Sequence, residues 1–143
     1  MANDTTFTFF HDAALTNPIE AGDTLTGSHV SGAADFTDKT IYFGSPATGT
    51  KAEVTANPGV TAIEVSIADA DGGSGTPATE FRLSLSAITG AETPGAALTL
   101  STSVQSGVAN AVPIHTRRTG SVSVAGNYSD ISITTQNLRE SPV

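Results

Sequence analysis

The sequence lacks cysteine and tryptophan, and among its 143 residues it has one methionine and two tyrosines. Without cysteine the chain has no disulfide framework, no thiolate zinc site and no cysteine nucleophile. Charged residues make up 14% of the chain, against a typical ~25%. Disordered chains usually combine low hydrophobicity with high charge, so the low charge favours a folded protein.

Basic residues are also scarce, since six Lys and Arg stand against 14 Asp and Glu and give a net charge of −8. Nucleic-acid phosphates are bound by clustered Lys and Arg, so no nucleic-acid partner is expected. No run approaches the ~18 apolar residues of a membrane helix, and no membrane partner is expected. Residues 1–6 lack the basic and apolar regions of a signal peptide, which predicts synthesis in the cytoplasm without export.

The chain is instead rich in small residues, with 22 Thr, 15 Ser, 20 Ala and 14 Gly. Its strongest periodicity is two, as in residues 61–69, where Ile63, Val65 and Ile67 alternate with smaller or polar residues. Alternation of this kind is typical of strands with one buried face, and turn signals recur every ~8–15 residues. The pattern predicts an all-β fold, an antiparallel β-sandwich of about 7–9 strands that is Ig-like or jelly-roll-like.

Strands are predicted along most of the chain. We expect a long hairpin to join residues 61–69 to residues 80–87, with Leu85 and Ala87 facing inward on the second strand. The remaining predicted strands are residues 5–10, at a sheet edge, and residues 24–30, 40–43, 51–55, 97–104, 110–117, 121–124 and 129–135.

Residues 11–37 differ from the rest, because proline and glycine interrupt them and their apolar residues are isolated. We therefore expect residues 1–37 to form an N-terminal strand and an extended arm or long loop. Residues 38–143 are expected to form the β-sandwich, with one globular domain overall.

One loop resembles a calcium site in part, because Asp69, Asp71 and Glu80 occupy positions 1, 3 and 12 of a calcium-loop frame. Gly73 and Ser74 do not fit positions 5 and 6 of that frame, and strands rather than helices flank it. A hairpin loop whose Asp and Gly residues form turns is the alternative interpretation.

No catalytic constellation is visible. His11, His29 and His115 are far apart and lack the spacing of a metal site. The chain has no nucleophile elbow, no phosphate loop after a strand and no close carboxylate pair in a cleft-forming context. The sequence therefore predicts that the protein is not an enzyme and binds no cofactor.

Arg117 and Arg118 form the only dibasic pair. On a strand their side chains point to opposite faces. One of them could reach an acidic residue of another chain, or they could form salt bridges within this chain, and the sequence leaves both readings open.

Three of the six phenylalanines, Phe7, Phe9 and Phe10, lie in the first ten residues. Buried, they would anchor an N-terminal strand; exposed, they would be contacts for a partner, since aromatic residues dominate interface energetics. Burial is favoured for Phe7 and Phe9, which share a face, and partner binding for Phe10.

Two resemblances bear on function. Near the C-terminus, Gly126, Tyr128 and Asp130 form a Gly-x-Tyr-x-Asp pattern that is similar to the end strand of spore-coat-U-like pilins. The acidic, cysteine-free, Thr-rich and Ser-rich composition, together with the run at residues 41–49, resembles the small Ig-like virion structural proteins of tailed bacteriophages. Among these, the chain is most similar to capsid decoration (cement) proteins.

The second resemblance implies a non-enzymatic protein that stabilises the phage head on the capsid surface. It implies the major capsid protein as partner, a homo-oligomer with a trimer favoured, and an N-terminal arm laid across capsid subunits. Its implied partner contacts on this chain are Phe7, Phe9, Phe10, Leu15, Ile19, Leu25, Arg117 and Arg118. A phage tail, spike or fibre module, or an adhesin-type binding module, is the alternative, although the absence of tryptophan disfavours carbohydrate stacking.

Overall fold

The computed structural model describes residues 5–19, 35–69, 78–120 and 131–143. Within these ranges it contains ten β-strands and two short 3-10 helices, Ala78–Glu80 and Val108–Asn110. The strands, numbered in chain order, are β1 (Thr8–Phe10), β2 (Asp35–Gly44), β3 (Thr50–Val54), β4 (Glu64–Asp69), β5 (Phe81–Ser84), β6 (Leu98–Thr99), β7 (Val104–Gln105), β8 (Val112–Gly120), β9 (Ile131–Thr135) and β10 (Leu138–Pro142). The all-β prediction is confirmed.

The strands form three antiparallel sheets. One has the order β1-β2-β8-β5, the second β10-β3-β7 and the third β6-β4-β9. Buried side chains from all three sheets meet in one hydrophobic cluster, which is how an antiparallel sandwich buries the inner faces of its sheets.

The longest ladder joins β2 to β8, in register from Asp35 opposite Gly120 to Phe43 opposite Val112. Ile41 lies opposite Ile114 in this ladder, and their side chains are 1% and 0% exposed. Burial of one large aliphatic side chain contributes about 1.5–3 kcal/mol, so this pair is a main anchor of the core.

The alternation in residues 61–69 correctly predicts the buried face of β4. Ile63 and Val65 are both 0% exposed, and Ile67 packs against the core cluster. Leu138 and Val104 bring β10 and β7 into the same cluster, so that one core is shared by strands from every part of the chain.

The predicted hairpin between β4 and β5 is wrong. β4 pairs with β6 and β9, whereas β5 pairs with β8 in a different sheet. The turn-rich composition of residues 70–78 signals a reversal of the chain but does not fix which strands pair; residues 70–77 lie outside the described residues.

Two further strand predictions need correction. Residues 97–104 do not form one strand, because β6 pairs with β4 while β7 pairs with β3. β5 ends at Ser84, and Leu85 beyond it is 49% exposed, so the prediction that Leu85 and Ala87 face inward is wrong. Both segments are interrupted at serine-rich positions. The alternation of apolar and polar residues continues there in the sequence, but the pairing between strands does not.

β1 is an edge strand, as predicted, and pairs with β2 from Thr8 opposite Gly44 to Phe10 opposite Tyr42. The C-terminal strand β10 is a finding that the sequence reading missed; it pairs with β3 from Leu138 opposite Val54 to Pro142 opposite Thr50. The predicted strands at residues 24–30 and 121–124, and the arm through residues 20–34, lie outside the described residues.

Candidate functional site

The N-terminal segment is folded onto the edge of the four-stranded sheet. The ring of Phe9 lies 5.3 Å from that of Phe43 and the ring of Phe7 lies 6.1 Å from it, both in tilted geometry. Tilted and edge-to-face pairs at such distances are favourable beyond the area they bury. Beyond β1 the chain turns back, and the Ile19 N–H donates to the Phe9 carbonyl at 2.9 Å.

The turn after β1 is closed by one carboxylate. Asp12 accepts hydrogen bonds from the Thr16 hydroxyl at 2.6 Å and from the Asn17 N–H at 2.9 Å. These donors, the Thr16 hydroxyl first, lower the pKa of Asp12. In the same turn Leu15 has a φ of 54° and is 2% exposed. A left-handed conformation is costly for a branched residue, and burial of its side chain over Gly44 offsets that cost.

The predicted partner contacts of the N-terminal region are therefore mostly part of this chain's own core. Phe7 and Phe10 are each 4% exposed, and Leu15 is buried as well. The prediction that Phe10 is the exposed member of its group is wrong. Phe10 lies on the face of β1 opposite to that of Phe9, but the chain turns back beside it, where Pro18 pairs with Phe10, and its side chain is buried. Phe9 and Ile19 are partly buried against the core, and Leu25 lies outside the described residues.

Arg117 forms a salt bridge within the chain, one of the two readings that the sequence left open. Its Nε donates to Asp38 Oδ1 at 2.6 Å and its Nη2 donates to Oδ2 at 2.8 Å. Its guanidinium also lies 4.0 Å from the centre of the Phe36 ring, a cation–π contact. The hydrogen bond from Arg117 lowers the pKa of Asp38, so that this carboxylate stays ionised.

Arg118 points to the other side of β8 and also has an intrachain partner. Its Nη2 lies 3.5 Å from Glu80 Oε2, and the Glu80 side chain is 2% exposed. A carboxylate so deeply buried needs a cationic partner to offset its lost hydration. Both arginines of the dibasic pair therefore stabilise this chain's own fold.

The partial calcium frame is not assembled among the described residues. Asp69 ends β4 and the buried Glu80 is bound to Arg118, while Asp71 lies outside the described residues. Across the ranges that the structure describes, no three His, Asp or Glu side chains lie close enough together to hold a metal ion. Of the three histidines, His115 lies beside the Thr40 hydroxyl at 3.4 Å, and His29 is not described.

Glu53, on β3, lies between two cations. Lys51 Nζ is 2.7 Å from one of its carboxylate oxygens and Arg139 Nη2 is 3.2 Å from the other. The Lys51 hydrogen bond, and then that of Arg139, lower the pKa of Glu53 in spite of its burial. Since Arg139 lies directly opposite Glu53 on β10, this cluster fixes the pairing of β3 with the last strand.

Glu140 joins the beginning of the described chain to its end. It accepts hydrogen bonds from the Thr50 hydroxyl at 2.6 Å and from the Thr6 N–H at 2.7 Å. Burial raises the pKa of Glu140, but these donors outweigh burial and the pKa is lowered. The carboxylate therefore stabilises the contact between the segment before β1 and strands β3 and β10.

Glu92 organises the loop that follows β5. The backbone N–H groups of Thr89 and Gly90 donate to its carboxylate at 3.1 and 2.9 Å. These bonds, that of Thr89 first, lower the pKa of Glu92 to about 2. Arg82 holds the same loop through a hydrogen bond of its Nε to the Glu92 carbonyl at 3.1 Å.

An open groove of about 520 Å³ lies beside these loops. Its lining residues are uncharged: Leu85, Thr99, Leu100, Ser101, Ser103, Val104, Gln105, Asn110 and Val112. No pattern in the sequence indicates this groove. Its residues come from three separate stretches of the chain, and only the strand pairing brings them together.

Comparison of the chain with known proteins gave no match. No family model matches it, and neither does any curated protein or solved structure. Within residues 5–19, 35–69, 78–120 and 131–143, no helix is long and apolar enough to cross a membrane.

Proposed function

We propose that the protein is a non-enzymatic structural protein of a tailed-phage virion, a decoration protein that binds and stabilises the capsid surface. The observation that supports the proposal is the all-β fold, in which three antiparallel sheets share one hydrophobic core and carboxylates tie the strands and turns together. Asp12, Asp38, Glu53, Glu92 and Glu140 all have a lowered pKa, and each is bound to neighbouring groups of the same chain.

The lowered pKa of these five carboxyl groups does not suit a general acid. A carboxyl group that acts as a general acid near neutral pH needs a raised pKa, whereas these carboxylates are held ionised. Each of them joins strands or closes a turn, as Asp38 does between β2 and β8. Hydrogen bonds and salt bridges of this kind stabilise the fold, as a structural protein requires.

The attachment to the capsid is proposed to rely on several weak contacts. Repeated copies on a shell convert modest single contacts into strong retention through effective concentration. Because Phe7, Phe10 and Leu15 are buried in the protein itself, we assign the arm contact to Leu25. A homotrimer remains our proposed oligomeric state.

The test is to purify the virions and count this protein by quantitative mass spectrometry relative to the major capsid protein. Hundreds of copies per particle are expected for a head decoration protein. A handful of copies would overturn the head location and favour the tail, spike or fibre alternative, and absence from the particle would overturn a virion role.

The arm contact is tested separately, by adding purified protein to undecorated expanded capsids. We expect Leu25→Asp to reduce binding by tenfold or more, about the effect of removing one anchor worth ~1.4 kcal/mol. Val60→Asp is the matched control, because Val60 is 69% exposed and outside the proposed contacts. Unchanged binding of Leu25→Asp would rule out this arm contact.

A further inference from the structure

The N-terminal segment, residues 5–19, packs on strands that come much later in the chain. Its strand β1 pairs with the end of β2, and the Phe9 ring lies 5.3 Å from the Phe43 ring. The Thr6 N–H donates to the Glu140 carboxylate at 2.7 Å. These contacts join the segment to β2 and β10, and none of them involves the connection between the segment and β2.

The segment is also closed on itself. The Ile19 N–H donates to the Phe9 carbonyl at 2.9 Å, and Asp12 accepts hydrogen bonds from the Thr16 hydroxyl and the Asn17 N–H. Asp12 is the one acidic residue of this segment in a chain of net charge −8. The segment can therefore pass to another copy as a unit while adding little electrostatic repulsion there.

The connection from the segment to β2 is longer than their pairing requires. Antiparallel neighbours such as β1 and β2 are commonly joined by a hairpin loop of about 2–5 residues, yet residues 11–34 separate these two strands. Ile19 and Asp35 are 16 positions apart in the sequence, and at about 3.3 Å per residue this connection spans up to about 53 Å. The distance along β2 from Phe43, which lies opposite Phe9, to Asp35 is only about 26 Å. The length of the connection therefore does not tie the segment to its own β2.

The site that receives the segment cannot stay empty. Phe43 is 1% exposed beneath it, and Leu15 packs on Gly44 so closely that a Cβ added to the glycine would lie 3.1 Å from the leucine. Phe7 and Leu15 are themselves 4% and 2% exposed. Departure of the segment would expose all of this apolar surface to water, which is unfavourable. An identical segment from another copy restores the same contacts.

We propose that residues 5–19 are exchanged between copies of this chain, so that the segment of each copy packs on β2 and β10 of the next. The exchange preserves every contact described above, because each one joins the segment to strands that all copies carry. Passed head to tail around a closed ring, the exchanged segments hold the oligomer together. The inference rests on the proposed function in one respect, namely that this oligomer is the homotrimer of the capsid surface.

A disulfide reports which copy supplies the segment. The hydroxyl oxygens of Thr6 and Ser45 lie 2.5 Å apart, so cysteine side chains at these two positions are close enough to be joined by oxidation. The chain itself has no cysteine, and the introduced thiols are therefore the only ones. Ser45 is 0% exposed, which keeps a thiol at this position from chance collisions between copies.

The test mixes equal amounts of two single variants, Thr6→Cys and Ser45→Cys, refolds them together from denaturant and oxidises them. With exchange, we expect about half of the chains to form disulfide-linked dimers, because each cysteine meets its counterpart in half of the random neighbour pairs of a ring. Without exchange, the two cysteines lie in different copies and do not meet. The matched control is Thr6→Cys mixed with Val60→Cys, at a valine 69% exposed. Linkage no greater than in this control would overturn the proposal.

The double variant Thr6→Cys/Ser45→Cys gives the arrangement in a single protein. With exchange, oxidation links the copies of a ring to one another, and a denaturing gel without reductant should show linked multimers with the trimer as the largest. Without exchange, the disulfide closes within one chain. Oxidised protein that runs entirely as a monomer would overturn the proposal.

An NMR measurement on the unmodified sequence does not depend on how the variants fold. In a refolded mixture of 13C-labelled and unlabelled protein, an isotope-filtered experiment detects contacts between copies only. We expect a nuclear Overhauser effect between the rings of Phe9 and Phe43, whose centres lie 5.3 Å apart. Its absence from the mixture would show that each segment packs on its own chain.

The exchange and the proposed function can fail separately. Copies that are linked through Thr6 and Ser45 but do not bind expanded capsids would overturn the proposed function alone. Capsid binding by protein that gives neither mixed disulfides nor an Overhauser effect between copies would overturn the exchange alone.

Discussion

Arg117 and Asp38 lie directly opposite each other on β8 and β2 and are joined by two hydrogen bonds, of 2.6 and 2.8 Å. The pair therefore joins the two longest strands of the fold. The Arg117 side chain is only 15% exposed, while Asp38 is 47% exposed, so the arginine stem packs on the sheet and its head meets a carboxylate at the surface. Two parallel bonds of this kind fix orientation as well as charge.

The first prediction concerns this pair. Asp38→Asn should lower the free energy of unfolding at pH 7, and it should flatten the pH dependence below pH 4. The folded pKa of Asp38 lies below its unfolded value of ~3.9. The contribution of the Asp38 carboxylate to the free energy of unfolding is therefore present above the unfolded pKa. It is lost as pH falls through the folded pKa. Urea unfolding at a series of pH values measures both effects.

The matched control for Asp38 is Glu64→Gln, at an exposed carboxylate on β4. It should leave the stability at pH 7 close to that of wild type, because its side chain is exposed. If Asp38→Asn and Glu64→Gln behave alike, the bidentate pair does not stabilise the fold.

The second prediction concerns the core. Ile114 is 0% exposed and lies opposite Ile41, so Ile114→Ala should lower the free energy of unfolding by about 2–5 kcal/mol. Val60→Ala, at a valine 69% exposed, should change it by less than about 0.5 kcal/mol. Chemical denaturation of both variants gives the comparison, and a loss below about 1 kcal/mol for Ile114→Ala, which lies under this range, would contradict the core described above.

The third prediction concerns Glu92, whose pKa is lowered to about 2 by the Thr89 and Gly90 amides. Because the folded pKa is depressed, the contribution of this carboxylate is present above the unfolded pKa of ~4.3. It is lost as pH falls from there towards 2. NMR titration of the carboxyl carbon should show a midpoint near 2, and a midpoint near 4 would show that the loop bonds are absent in solution.

The fourth prediction concerns Glu140 and the segment before β1. Glu140→Gln removes the negative charge of the carboxylate that accepts hydrogen bonds from the Thr6 N–H and the Thr50 hydroxyl. We expect this change to lower the free energy of unfolding by about 1 kcal/mol. Hydrogen exchange should quicken most at β1 and less at β8. Uniform quickening across all strands would instead indicate a global effect with no specific tie to the N-terminal segment.

The sequence predicts burial well where the alternating residues lie in a ladder, and it fails at Leu85, which lies beyond the end of β5. The alternation around Ile63 and Val65 places the correct side chains inward, because a strand with one solvent-exposed face alternates apolar and polar residues with a period of two. β1 is likewise recognisable as an edge strand from its phenylalanines.

Strand pairing is far less visible in the sequence. The composition of residues 70–78 suggests a hairpin, yet β4 and β5 belong to different sheets. Strand pairing depends on which distant strands complete the core. The alternation of apolar and polar residues identifies the buried face of a strand, but it does not indicate which strand lies beside it. For the same reason neither the partners of Arg117 and Arg118 nor the groove beside Leu85 could be predicted.

The sheet order also has a consequence for how the protein folds. Strands that pair lie far apart in the chain: Glu53 and Arg139, opposed on β3 and β10, are separated by 86 positions. Thr116 and Lys39, on the central ladder, are separated by 77. Long loops must close before such contacts form, and chains dominated by nonlocal pairing fold in about milliseconds to seconds. We therefore expect slow refolding limited by the meeting of β2 with β8, during which the unpaired strands are vulnerable to aggregation.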